Sequence, residues 1–154
     1  MEQSKELKVS AIKDGTVIDH IPAKNLFRVI SILGLDKIDN HLTVGNNLDS
    51  KKLGHKAIIK ISDKFFEDDE INKIALVAPQ AKLNIIKDYK VIDKKVVETP
   101  SEVIGIAKCV NPKCITNNEE IKTRFTVIAG EDVALKCQYC EKITTKDNLV
   151  IIKK

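Results

Sequence analysis

The sequence predicts an α+β fold in two domains, a sheet with two helices followed by a small all-β domain. Two observations support this prediction. Strand-like and helix-like segments follow one another up to about residue 100, and all four cysteines lie beyond it, in the strings KCVNPKC and LKCQYC. Thr99, Pro100 and Ser101 interrupt the regular pattern between the two regions, as linker residues do. We therefore expect one domain at residues 1–100 and another at 101–154.

The chain begins with strand-like alternation. Polar and apolar residues alternate in LKVSAIK, residues 7–13, and in TVIDHI, residues 16–21, as in strands that bury one face. Asp14-Gly15 between them is a dipeptide typical of tight hairpin turns. These residues predict a β-hairpin at the start of the first domain.

A first helix is expected at residues 22–33. Pro22 suits the first turn of a helix and Gly34 suits the left-handed position that ends one. Helical spacing also gives this segment an apolar stripe, formed by Leu26, Phe27, Val29, Ile30 and Leu33.

Two further strands are expected at residues 41–48 and 55–62, joined by a polar loop that contains Asn46, Asn47, Asp49 and Ser50. EDDEINKIALVAP then predicts a second helix, because acidic residues favour the positive end of the helix dipole and Pro79 ends the helical pattern. Strand-like segments follow at 81–89 and 90–97. This order is compatible with a ferredoxin-like α/β sandwich that has both helices on one face of the sheet.

The C-terminal region lacks helical periodicity. TRFTVIAG and VALKC are short strand candidates, GED is a turn, and DNLVIIKK is a candidate for the final strand. The 54 residues from 101 to 154 include one phenylalanine and one tyrosine, so they cannot bury much apolar area. Domains this small often depend on disulfides or on a metal ion.

The spacing of the cysteines indicates a metal site. Four residues separate the first pair, two separate the second pair, and 22 lie between the pairs. Each pair fits a tight turn, so four sulfurs could surround a zinc ion tetrahedrally at about 2.3 Å. No histidine lies close to a cysteine, which favours a closed structural site over a catalytic one. We therefore expect a zinc-ribbon-like domain with one Zn²⁺ ion, held by Cys109, Cys114, Cys137 and Cys140.

Other uses of the cysteines are less well supported. Disulfides are rare in a reducing compartment, and no helical pattern follows Cys137 and Cys140, as it would in a thioredoxin-like redox motif. A rubredoxin-like iron site uses the same four ligands. Zinc is the default expectation, and iron stays open at this point.

Charge and hydropathy limit the possible partners. The net charge is +4, with 17 basic against 15 acidic residues up to residue 100 and 9 against 7 after it. No region is strongly basic, so the sequence does not predict nucleic-acid binding. No apolar run is long enough to cross a bilayer, and the charged N-terminus is unlike a signal peptide. We expect a soluble, cytoplasmic protein that does not bind membranes.

The sequence does not predict an active site or any catalytic residue. GxxxxGK[ST], GxGxxG and GxSxG are all missing from it. Asp19 and His20 are the one suggestive acid and imidazole pair, but adjacent strand residues point to opposite faces. We therefore expect no direct dyad between these two side chains. A zinc-ribbon adaptor for nucleic acid and a small redox metalloprotein are the alternative functions.

Several strings together resemble a known family. GTVIDHIPA, IIKIS, IALVAPQAKLNIIKDYKV and the two cysteine pairs look like the regulatory chain of aspartate carbamoyltransferase, and the resemblance spans essentially all 154 residues. It implies a non-catalytic subunit in pyrimidine biosynthesis, whose N-terminal domain dimerises and binds CTP as an inhibitor, ATP as an activator and, as a third candidate, UTP. It also implies that the zinc domain docks on the catalytic chain.

The resemblance carries roles over to individual residues. Asp19 matches a ribose-binding carboxylate, and His20 matches a residue near the phosphates. Lys60 and Lys94 match lysines that contact the phosphates and the ribose. The implied base pocket consists of Ile12, Asn84, Ile86, Tyr89 and Val91. Asn111 and Glu141 match contacts with the catalytic chain. Two positions depart from the family pattern: Ser10 stands where some members have an acidic residue, and Lys113 where some have an amide.

Overall fold

Two compact units form the chain, one ending at Glu98 and the other beginning at Thr99. The computed structural model describes residues 11–128 and 133–152. Each unit contains one antiparallel sheet. None of the helices in the described residues is long and apolar enough to cross a membrane.

From residue 11 onward, the first unit has five strands and two α-helices. Their bounds are β1 Gly15–Pro22, α1 Leu26–Ile32, β2 Leu42–Ser50, β3 Gly54–Ser62, α2 Asp68–Lys73, β4 Lys82–Lys87 and β5 Lys90–Val96. The strand order is β2-β3-β1-β4-β5. Strands β1 to β4 with the two helices give the βαββαβ order of a ferredoxin-like fold, and β5 extends the sheet beside β4. The predicted α+β class is confirmed.

Strand β1 lies in the middle of this sheet, so the predicted hairpin is wrong. It pairs with β3 on one side, from Gly15 to Pro22, and with β4 on the other, which leaves no edge for a hairpin partner. Residues 7–10 of the predicted partner strand lie outside the described residues, and 11–13 are not in a strand. Gly15 has φ 141°, and a Cβ there would overlap the carbonyl oxygen of Ile61. This glycine therefore allows close strand packing instead of a hairpin turn.

Both predicted helices are present. Turns of 3-10 helix, Ala23–Asn25 and Ile74–Leu76, precede α1 and follow α2. Gly34 has φ 65° and ends the first helical segment as predicted. Phe27, however, is 74% exposed, so it does not belong to the buried stripe of α1. Helix α2 starts with a capping box between Glu67 and Glu70.

One face of the sheet holds the core. Ile59 and Leu83 flank Ile18 in register on the neighbouring strands, and all three are fully buried. Leu26, Val29, Ile71 and Ile74 on the helical segments are also buried. Asn25 Nδ2 donates to the carbonyl oxygen of Val77 at 2.7 Å and ties the two helical segments together. We conclude that α1 and α2 cover the face that carries Ile18.

The predicted polar loop after residue 45 belongs to a strand. Asn46, Asn47, Asp49 and Ser50 all lie within β2, and the turn is at residues 51–53. A register shift between Gly45 and Leu48 absorbs the irregular backbone around Asn47, whose φ is 57°. Because β2 is an edge strand with little burial, pairing with β3 does not require apolar side chains there.

The described residues of the second unit form four short strands and one turn of α-helix. Their bounds are β6 Glu102–Ile104, α3 Ile115–Asn118, β7 Arg124–Ile128, β8 Ala134–Cys137 and β9 Ile143–Thr145, and the strand order is β6-β7-β8-β9. The strands predicted in TRFTVIAG and VALKC are confirmed. The predicted GED turn lies outside the described residues.

The predicted final strand is wrong. Residues 146–148 form a 3-10 turn, and among the described residues of DNLVIIKK only Ile151 makes a bridge, to Ala107. The last sheet strand is β9, which precedes this string. Strands β6 and β9 and helix α3 have three or four residues each, too few to show a periodic pattern.

Candidate functional sites

The four cysteines form one cluster in the second unit. Cys114 immediately precedes α3, Cys137 ends β8, and Cys140 lies in the turn after that strand. All four sulfur atoms lie within 4.8 Å of one another. The Cys109 and Cys140 sulfurs are 3.6 Å apart, and those of Cys114 and Cys137 are 3.7 Å apart. Cysteines up to 31 residues apart in the sequence therefore converge on one point.

These distances fit a four-coordinate metal ion. Tetrahedral bonds of about 2.3 Å place ligand sulfurs about 3.8 Å apart, whereas a disulfide brings them to about 2.0 Å. None of these four cysteines forms a disulfide. The cluster could therefore hold a metal ion that prefers sulfur ligands, which both zinc and iron do.

The pKa values of the thiols differ across the cluster. Burial and the neighbouring sulfurs raise the pKa of Cys109 to about 12, and burial also raises the pKa of Cys137. At Cys140 burial is outweighed by hydrogen bonds from the Lys142 backbone and the Asn111 side chain, which lower its pKa to about 7. Because a metal binds thiolates, it must displace protons from the buried thiols.

The two predicted contacts with a catalytic chain lie in the cysteine turns. Asn111 is half-buried between Cys109 and Cys114, and its Oδ1 accepts a hydrogen bond from the Lys113 backbone at 3.1 Å. Glu141 is exposed beside Cys140 and has φ 64°. Its backbone N–H donates to the carbonyl oxygen of Cys137. Apolar side chains are exposed around both turns, namely Val110, Ile115, Tyr139 and Ile143.

A cavity of about 550 Å³ lies on the first unit. It is lined by Ala11, Ile12, Val17, Asp19, Ile58, Lys60, Asn84, Ile86, Tyr89 and Val91. Seven of these ten residues were assigned to an effector site from the family resemblance. Ala11, Val17 and Ile58 are not among the predicted residues, because an apolar side chain gives no sign in the sequence that it lines a cavity.

The register of the sheet explains how this cavity forms. Val17 on β1 is paired with Lys60 on β3 and with Asn84 on β4, and Asn84 is paired with Lys94 on β5. Paired residues share a face, so these four side chains form one row. This row lies on the face opposite Ile18, because adjacent strand residues alternate. With strands about 4.8 Å apart, the two lysines lie about 14 Å apart along the row.

The apolar end of the cavity is held by a tight turn. Asp88 and Tyr89 between β4 and β5 have φ 51° and 64°, as in a two-residue type I′ hairpin turn. The Tyr89 N–H donates to the carbonyl of Lys13 at 2.9 Å, and the Asp88 N–H donates to Asp14 Oδ1 at 3.1 Å. These bonds tie the segment that contains Ile12 to the turn.

Asp19 and His20 lie at an irregularity in β1. His20 has φ 61°, and the register with β3 shifts between Ile18 and Ile21. This left-handed residue interrupts the regular alternation of strand faces, and the two side chains make no hydrogen bond with each other, because His20 Nδ1 has no hydrogen-bond partner among the described residues. Asp19 pairs with Lys56 Nζ at 3.0 Å and lies 3.7 Å from His20 Nδ1.

His20 lines a different cavity from the other predicted effector residues. This second cavity has a volume of about 430 Å³ and also contacts Lys52 and Lys82. Burial lowers the pKa of His20, and the positive charges of Lys56, Lys82 and Lys52 lower it further. The negative charge of Asp19 acts in the opposite direction. Lys94 does not line the first cavity, although its position in the row places it on the same face.

Comparisons with known proteins match both units. The family model described as the aspartate carbamoyltransferase regulatory chain, allosteric domain, matches residues 7–98, and the metal binding domain of the same chain matches residues 101–150. The chain is 55% identical to the aspartate carbamoyltransferase regulatory chain of Parabacteroides distasonis, over 97% of both chains. It is 56% identical to that of Bacteroides fragilis, over 98% of this chain and 99% of the relative. It is 52% identical to the aspartate carbamoyltransferase regulatory chain of Thermococcus sibiricus, over 96% of this chain and 97% of the relative.

Proposed function

The chain belongs to the family of aspartate carbamoyltransferase regulatory chains, and we propose that it binds nucleotide effectors on its N-terminal sheet. As a regulatory chain it is a non-catalytic subunit that associates with a catalytic chain. The proposed effectors are CTP, ATP and, as a third candidate, UTP. The N-terminal domain, residues 1–100, is the effector domain, and the C-terminal domain, residues 101–154, docks on the catalytic chain.

The row of four paired residues across the sheet carries this proposal. Lys60 and Lys94 place an ammonium group at each end of the row, with Asn84 between them. Lysine suits phosphate as a mobile point charge, and the volume of about 550 Å³ lies within the usual range for small-molecule sites. The base would lie among Ile12, Ile86, Tyr89 and Val91. Asp19 would contact the ribose, and His20 would lie near the phosphates.

The metal domain would hold one Zn²⁺ ion and provide the docking surface. Four sulfurs at tetrahedral spacing support a closed structural site. Exposed apolar side chains around both cysteine turns, together with Asn111 and Glu141, support contact with another chain. Bound zinc would fix the shape of this surface and would take no part in a reaction.

Regulation requires that effectors distinguish two states of the assembly. An effector changes activity only if it binds two quaternary states with different affinity, and such coupling is typically about 1 to 3 kcal/mol. A second regulatory chain would complete a homodimer through the N-terminal domain. The sheet ends in two edge strands, β2 and β5, and Ile92 and Val96 on β5 are exposed. We place this complex in the cytoplasm.

Calorimetry on the full chain tests the effector site. Lys60→Ala and Lys94→Ala should each weaken CTP and ATP binding by about 1.5 to 3 kcal/mol, the range for a hydrogen bond to a charged group. ATP should also displace CTP, because both use one cavity. Lys24→Ala is the matched control, since it removes the same charge from an exposed position at the start of the helical segment. Unchanged binding in both the Lys60→Ala and the Lys94→Ala chain would remove this site assignment.

A further inference from the structure

The first cysteine turn lacks the support that a sheet gives the second. Cys137 ends β8, which pairs with β7 and β9, so the sheet fixes its position. Residues 109–114 lie between β6 and β7 and contain no strand. Within this turn the Cys114 N–H donates to the carbonyl of Asn111 at 3.0 Å. Another contact must therefore fix the distance between Cys109 and Cys114.

Asn117 provides this contact. Its Nδ2 donates to the carbonyl oxygen of Cys109 at 3.0 Å and to that of Asn111 at 2.7 Å. An amide nitrogen carries two hydrogens, so both bonds can form together. Asn117 is itself tied to Cys114, because it lies in α3 and its backbone N–H donates to the Cys114 carbonyl at 2.9 Å. One side chain thus links the two ligands of the first turn.

We infer that Asn117 is a positioning residue for the metal site. It touches no ion itself, and it acts by holding Cys109 at the correct distance from Cys114 before and after the ion binds. Asn117 is half-buried, so water replaces its two hydrogen bonds poorly. Hydrogen-bond partners behind metal ligands typically change metal affinity 10- to 100-fold. The inference concerns the metal centre alone and does not depend on nucleotide binding.

Asn118 offers a matched comparison on the same helix. Its Nδ2 donates to the carbonyls of Pro112 at 3.1 Å and Cys114 at 2.8 Å. These bonds stay at one end of the turn and do not reach Cys109. Asn118 is exposed, so water can replace them. The two neighbouring amides make the same number of hydrogen bonds but differ in what they connect.

Metal transfer to a chromophoric chelator tests the inference on the full chain loaded with Zn²⁺. Asn117→Ala should release the ion about 10 to 100 times faster than the unmodified chain. Asn118→Ala should stay within about threefold, as exposed substitutions do. Asn117→Asp keeps the size but cannot donate, so it should release the ion at least as fast as Asn117→Ala. Equal release from the Asn117→Ala and Asn118→Ala variants would overturn the inference.

A second measurement separates positioning from a general loss of stability. The Co²⁺-loaded Asn117→Ala chain should keep the charge-transfer absorption of four thiolates, because no ligand is removed. In an Asn118→Ala background, which keeps all four cysteines, Asn117→Ala should still speed release about 10- to 100-fold, since Asn117, unlike Asn118, bonds to Cys109. Loss of this difference in the double variant would contradict the inference.

A variant that does not load metal needs a different comparison. If Asn117→Ala fails to load, Asn117→Gln and Asn117→Asp are compared by the Zn²⁺ concentration at which each loads, because only the glutamine side chain can donate. Loading of the Gln variant at a lower Zn²⁺ concentration supports positioning by hydrogen bonds. Equal loading of the two variants, or no loading of either, contradicts it.

Discussion

His20 has a backbone conformation that regular strands do not use. Its φ of 61° creates the irregularity in β1 that directs Asp19 toward Lys56 and His20 toward a separate cavity. Among the described residues, its buried Nδ1 has no hydrogen-bond partner. The sequence could not predict this arrangement, because the alternation rule assumes extended backbone at every position. A strained residue with an unsatisfied polar atom is typical of a functional site.

The lowered pKa of His20 predicts a pH dependence of stability. Burial holds its pKa below 6.5 in the folded chain, so the unfolded chain takes up this proton at higher pH. The free energy of unfolding should therefore fall as pH drops below about 6.5. His20→Asn should lose less stability between pH 7.5 and 5.5, since asparagine tolerates a positive φ and does not titrate. Urea unfolding of both zinc-loaded chains checks this, and equal losses would contradict it.

Local signals predicted the helices and the cluster of four cysteines well, but not the pairing of strands. Acidic residues, Pro79 and Gly34 act within a few residues of themselves, and so does the spacing inside each cysteine pair. The hairpin prediction failed because β1 pairs with strands about 40 and 70 residues away. The cavity has the same origin, since register joins Val17, Lys60 and Asn84. Only the family resemblance indicated its residues.

The capping box of α2 gives a prediction for a single element. Glu70 accepts a hydrogen bond from the Glu67 N–H at 3.2 Å, and the Glu67 side chain accepts one from the Glu70 backbone. Glu70→Ala should destabilise the first unit by about 0.5 to 1 kcal/mol, the lower part of the range for lost caps. Glu70→Gln should cost less, because glutamine also completes a capping box. Urea unfolding measures both, and an equal cost for the two variants would count against the capping role.

The whole molecule combines two units with different sources of stability. The first unit buries a sheet and two helices, whereas the second has strands of five residues or fewer. Its buried apolar side chains include Val103, Phe125, Leu135 and Leu149. In small zinc peptides, metal binding supplies about 10 to 16 kcal/mol toward folding. The second unit therefore depends on its metal in a way that the first does not.

Loss of one metal ligand should unfold the second unit and leave the first unit folded. Cys140→Ser should weaken the zinc site and unfold residues 99–154, while the first unit stays folded and still binds CTP. Mixed with the catalytic chain, this variant should leave activity intact, remove the response to CTP and show no stable association in gel filtration. Assembly with retained CTP response would exclude the metal domain as the docking element. Loss of CTP binding would show that the units do not fold separately.

The central position of β1 also affects how the chain folds during its synthesis. β1 is the first described strand to leave the ribosome, but its partners β3 and β4 begin at Gly54 and Lys82. Until both have emerged, the backbone of β1 has at least one unpaired edge and Ile18 lacks a neighbour on one side. Pairing between distant segments is slow, and unpaired edges in nascent chains promote aggregation. The N-terminal domain must therefore be translated through β4 before its first strand is protected.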